Sequence, residues 1–90
     1  MDTRVAIISI IVEDTRSVEQ LNALLHSYGP YIIGLTGLPH RQRNISIISV
    51  VLDAPNDIIS ALSGKLGRLP GVTSKAVYSK LAGGSHDGTD

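Results

Sequence analysis

The 90-residue chain has no cysteine, no tryptophan and no phenylalanine; its only aromatic residues are three tyrosines. Without cysteine it can build no disulfide framework, no thiolate zinc site, no CxxC redox pair and no cysteine-ligated iron–sulfur cluster. An excess of either charge is also missing. Eight Lys plus Arg balance eight Asp plus Glu, so the basic stripe of a dedicated nucleic-acid binder is not expected. The apolar run Val5 to Val12 is interrupted by Ser9 and falls far short of the roughly 20 residues that span a bilayer. With no signal-peptide pattern at the start of the sequence, the expected compartment is the cytoplasm.

What is present is a β-branched, aliphatic chain with 42% hydrophobic residues. Its length allows one domain, expected over residues 1–81, with a flexible polar tail over 82–90. Arg4 to Asp14 is nearly continuous in Val and Ile, the pattern of a strand covered on both faces. Ser17 followed by Gln20 has the spacing of a capping box, and Val18, Leu21, Leu25 and Tyr28 then recur at helical period until Gly29-Pro30. Tyr31 to Leu38 is a second strand, where Gly34 and Gly37 suit a bulge or a close backbone approach at a sheet edge. The polar stretch Pro39 to Asn44 has the length of a hairpin connection, and Ile45 to Asp53 is a third strand. Pro55-Asn56 opens a helix carrying Ile58, Ile59, Leu62 and Leu66, and Leu69-Pro70-Gly71 turns into a short fourth strand over Val72 to Lys80.

The two halves repeat. Val5 to Glu13 aligns with Ile45 to Asp53, Ser9 falling on Ser49 and Glu13 on Asp53. Two β-α-β units joined through a hairpin make the α+β, ferredoxin-like βαββαβ sandwich, a four-stranded antiparallel sheet with two helices on one face. In that topology the first and third strands are central, and an anomaly follows. The second face of a monomeric sheet should be polar, yet the first strand has Ile8, Ile10 and Val12 on one side and Val5, Ile7 and Ile11 on the other, and the third has Ile48, Val50 and Leu52 opposite Ile45, Ile47 and Val51, so about six aliphatic side chains lie away from the helices. At roughly 25 cal/mol per Å² of apolar surface, leaving them exposed would forgo several kcal/mol and create a patch prone to association. Self-association through this face, with Ile7, Ile47 and Gly34 at the interface, is the simplest cover.

Chemistry is sparse. His26, His40 and His86 share no local ligand spacing; a metal sensor or carrier would need His26 and His40 to meet acids such as Glu13 or Asp14 across a subunit boundary. The loop His40 to Asn44 concentrates Arg41 and Arg43, whose guanidinium forks suit carboxylate or phosphate, but such a loop can equally be a solvated hairpin pairing with acids of a neighbour. No catalytic residue is assigned, because Ser9 and Ser49 lie within strands with no base beside them. An acylphosphatase-type site needs a glycine-rich phosphate cradle after the first strand, where this chain has Glu13-Asp14-Thr15-Arg16. RNA recognition on this fold needs aromatic residues on the central strands, which have none.

Over Arg4 to about Leu81 the sequence resembles the small family named for a regulatory role in the iron-only hydrogenase system. The segments that carry the likeness are IVEDTRS (Ile11 to Ser17), GLPHRQR (Gly37 to Arg43), Ile45 to Ser49 and Ile58 to Val72. These proteins are ACT-like and akin to the C-terminal domain of nickel-responsive repressors. The resemblance implies an ACT-type fold, assembly as a dimer or tetramer, and a link to regulation or maturation of iron-only hydrogenase, with a maturation protein as one partner. The repressors carry a ribbon-helix-helix arm before this domain; here the first strand begins by Arg4, so no autonomous DNA binding is expected. Their metal is held by histidines plus cysteine, and this chain has no cysteine and no histidine cluster. Amino-acid-binding ACT domains usually have a glycine in the turn that Glu13 to Arg16 occupies here. The expected protein is a non-enzymatic oligomeric module, its cofactor unassigned, with His40, Arg41, Arg43 and Gly37 contacting a small or anionic ligand.

Overall fold

The computed structural model describes residues 2–80. The strands are β1 (Arg4–Val12), β2 (Ile32–His40), β3 (Ile45–Ala54) and β4 (Val72–Tyr78); the helices are α1 (Val18–Ser27) and α2 (Asn56–Gly67). Short 3-10 turns at Thr15–Ser17, Gly29–Tyr31 and Arg41–Arg43 join them. All neighbouring strands are antiparallel, in the order β2-β3-β1-β4. This is the ferredoxin-like βαββαβ arrangement, with the two aliphatic strands at the centre. The tail expected over 82–90, and His86 within it, lie outside the described residues.

Alternation along the central strands divides their side chains cleanly. Ala6, Ile8, Ile10 and Val12 of β1 and Val50, Leu52 and Ala54 of β3 point to the helix side, where Leu21, Leu25, Ile59, Leu62 and Leu66 seal them from water. Each helix presents a single stripe at the 3.6-residue period, which is why so few helical residues close the core. Lys65 of α2 donates to the Tyr28 hydroxyl at 2.9 Å, linking α2 to the end of α1.

The opposite face is open. Val5, Ile7, Ile11, Ile47, Leu38 and Val77 are all exposed there, Leu38 and Val77 at 62%. Register resolves the face into transverse rows: Gly34–Val51–Ile7–Val77, then Thr36–Ser49–Ser9–Lys75, then Leu38–Ile47–Ile11–Thr73. Two mainly apolar bands thus flank one polar row. Ser9 and Ser49, superposed by the internal repeat, are directly paired across the two central strands.

One local prediction is corrected. Ser17 occupies the cap position of α1 but makes no side-chain cap; its hydroxyl donates to the Pro70 carbonyl instead. The capping carboxylate is Asp14, one turn earlier, which accepts from the Arg16 amide at 2.9 Å and starts the 3-10 turn. The irregularity expected in β2 is a bulge between Ile32 and Gly34, and it needs neither glycine for space. A Cβ on Gly34 would meet Val51 only at 3.8 Å, and one on Gly37 would meet nothing within 4 Å. Packing among the described residues therefore requires neither glycine.

Candidate functional site

The β2–β3 hairpin, the turn after β1 and the start of β4 gather at one end of the sheet. Register fixes this: His40 pairs with Ile45, Val12 with Ser46, and Val12 also with Val72. At the hairpin, Arg41–Arg43 form a 3-10 turn closed by Asn44, whose φ of 56° is left-handed and whose amide donates to the Arg41 carbonyl at 3.1 Å. Asn tolerates this region better than most residues, so the tight turn throws both guanidinium groups outward. Arg41 and Arg43 are exposed, and neither forms a side-chain hydrogen bond or ion pair among the described residues. Their full donor capacity is available to an external anion.

His40 is half-buried on the open face, in line with Thr36 and Leu38, whereas Gly37 pairs with Ile48 and so faces the helix side. The structure brings His40, Arg41 and Arg43 to one end of the sheet and sets Gly37 on the other face. Of the expected interface residues, Gly34 and Ile7 flank Val51 in one band and Ile47 lies beside Ile11 in the other, across the polar row on the same face. His26 is in the exposed last turn of α1, and among the described residues no three of His, Cys, Asp and Glu stand close enough to hold a metal ion.

At the same end, beside β4, is a shallow cleft of about 300 Å³ lined by Asp14, Arg16, Ser17, Gln20 and Pro70. Arg16 turns back on Asp14 in a bidentate pair, Nε to Oδ1 at 3.0 Å and Nη2 to Oδ2 at 2.8 Å. Hydrogen bonding from the Arg16 side chain holds the Asp14 carboxyl below the usual carboxylate range, and Asp14 in turn raises the guanidinium. The turn is therefore less acidic than its sequence implies, because Arg16 neutralises one of its carboxylates. Gly71 fixes the turn against β4. Its φ is +69°, a Cβ there would come within 2.5 Å of the Asp14 Cβ, and its carbonyl accepts from the Glu13 amide at 2.7 Å. Sequence reading missed this cleft because its parts are far apart in the chain; the visible signal was Asp14 two residues before Arg16, with Pro70-Gly71 ahead of the last strand.

Two comparisons bear on this arrangement. A solved structure, that of the uncharacterized protein TM1266 from Thermotoga maritima, shares 42% sequence identity, superposes with a TM-score of 0.83, and is matched over 87% of this chain and 99% of its own. No functionally curated protein matches the chain. A family model described as "TM1266-like: Iron-only hydrogenase system regulator, putative" matches residues 4–76, from the start of β1 into β4 and through both helices and the arginine hairpin. The chain belongs to the TM1266-like family.

Proposed function

We propose that this chain is a non-enzymatic, oligomeric, ACT-like regulatory module of the cytoplasm, acting on the iron-only hydrogenase system or its maturation, and that its subunit interface holds a small anionic ligand or docks a partner protein. The observation that carries this reading is the open sheet face, where Ile7, Ile11 and Ile47 remain more than 40% exposed. Aliphatic bands left exposed on one face of a sheet mark an interaction surface. The β2 edge adds a second one: Ile33 and Leu35 are 64% and 53% exposed beside unpaired strand-edge amides. The family's description as a regulator supports a role without turnover. Arg41 and Arg43, without side-chain partners among the described residues, are the groups offered to an anion, with His40 beside them. No helix among the described residues is long and apolar enough to cross a membrane.

Native mass spectrometry of freshly purified protein tests the reading directly. The expected result is a dimer or tetramer. A clean monomer at micromolar concentration would overturn it. Where a retained anionic mass accompanies the oligomer, Arg41→Ala/Arg43→Ala should remove that mass without altering subunit number; retention of the mass would take the ligand role away from the hairpin.

A further inference from the structure

The open face carries an internal symmetry that a second copy of the chain can match in two ways, and one residue discriminates between them. The Ser9–Ser49 pair marks the centre, because the halves repeat about it: Ile7 beside Val51 on one side corresponds to Ile47 beside Ile11 on the other. Four strands spaced about 4.8 Å apart and about eight residues long at about 3.3 Å per residue give a face of roughly 500 Å² in projection. A projection understates the accessible area of a corrugated face, and a stable interface buries roughly 800 Å² per partner. A face of this size, whose apolar bands and polar row follow a two-fold pattern, is matched in polarity by itself, so its occupant is a second copy.

Two aligned sheets pack about 10 Å apart, related by a two-fold axis lying between them. If the axis runs along the strands, β4 of one copy lies over β2 of the other: Lys75 meets the partner's Thr36, Val77 meets the partner's Gly34, and Thr73 meets the partner's Leu38. If it runs across the strands, along the polar row, β4 lies over β4: Lys75 meets the partner's Lys75, and Val77 meets the partner's Thr73. Both arrangements match apolar band to apolar band. They differ at Lys75. The polar row Thr36–Ser49–Ser9–Lys75 contains no carboxylate, so two ammonium groups brought together there have no counterion within the row, whereas a threonine hydroxyl accepts from one. The β4-over-β4 arrangement also draws His40 toward the partner's Asp53 at the end of the face, an attraction that water screens as it screens the repulsion between the exposed lysines.

We propose that Lys75 sets the register of sheet-to-sheet self-association, permitting β4 over the partner's β2 and excluding β4 over β4 by like-charge repulsion. This rests on the self-association proposed above. Because the chain has no cysteine, paired cysteines report the register cleanly with a short bis-maleimide. Leu38→Cys/Thr73→Cys should give covalent dimers, and Thr73→Cys/Val77→Cys should give more than tenfold fewer. Adding Lys75→Met to the second pair should restore its dimers, while native mass spectrometry shows subunit number unchanged. Efficient cross-linking of the Thr73/Val77 pair with Lys75 intact would overturn the role of Lys75 while leaving self-association standing. An oligomer in which neither pair cross-links would show that the face is not the interface. A monomer in the native spectrum would remove the underlying reading itself.

Discussion

On the helix side of β1, Ile8 and Ile10 are wholly excluded from water, whereas their neighbours Ile7 and Ile11, on the other side of the same strand, keep 41% and 42% of their surface exposed. The residue types are the same and the backbone is shared, so the contrast comes from what lies over each face. Two helical stripes cover one; nothing within the described chain covers the other. Burial depends on the layer above a side chain as much as on its hydrophobicity, and a strand that is aliphatic on both sides calls for two covers.

The comparison is sharpened most by truncation on each face. Leu62→Ala, on the core side of α2, is expected to cost about 3 kcal/mol by leaving a cavity in a sealed core, with a loss in urea midpoint that is the same at every protein concentration. Ile47→Ala should cost much less in the isolated subunit and should act by lowering the protein-concentration dependence of thermal unfolding. Equal, concentration-independent losses from both substitutions would erase the distinction between the faces.

A smaller effect is expected at the junction of the turn after β1 with β4. Gly71→Ala meets a left-handed backbone and the Asp14 backbone together, and should cost about 2 kcal/mol, read as a lowered urea midpoint at unchanged slope. Gly37→Ala, with open space around its Cβ, is the control and should leave the midpoint nearly unchanged.

The smallest effect concerns pH. The folded-state pKa of Asp14 lies below its ordinary 3.8 because Arg16 stabilises the carboxylate. Its contribution to stability is therefore present above the unfolded pKa and is lost as pH falls through the lower folded value. Asp14→Asn should flatten that part of the acid limb of a stability-versus-pH curve and leave the slope between pH 6 and 8 unchanged. An unaltered acid limb would show that the Asp14–Arg16 pair does not persist in solution.

Much of this architecture was legible in the residues. The alternation in β1 and β3, the helical stripes, the bulge region of β2 and the repeat that pairs Ser9 with Ser49 all express local periodicity, which sequence records directly. The cap of α1 was misplaced because Ser17 satisfies the spacing of a capping box, yet a tertiary partner, the Pro70 carbonyl, competes for its hydroxyl. The cleft beside Asp14 was invisible for the same reason: it exists only once Gly71 is brought against the turn after β1. Of the hairpin residues, the charges of Arg41 and Arg43 could be read from the chain, but the placing of Gly37 on the opposite face from His40 depends on register.

The central position of β1 carries a consequence for synthesis. This strand, which precedes the other three in the sequence, pairs on one side with β3 and on the other with β4, Ala6 lying opposite Tyr78. Its ladder with β3 can form once β3 is present, but its second edge stays unmatched until β4, the last of the four strands, is available, and long-range pairings of this kind form late. Until then an edge rich in isoleucine and valine is open to aggregation or chaperone capture.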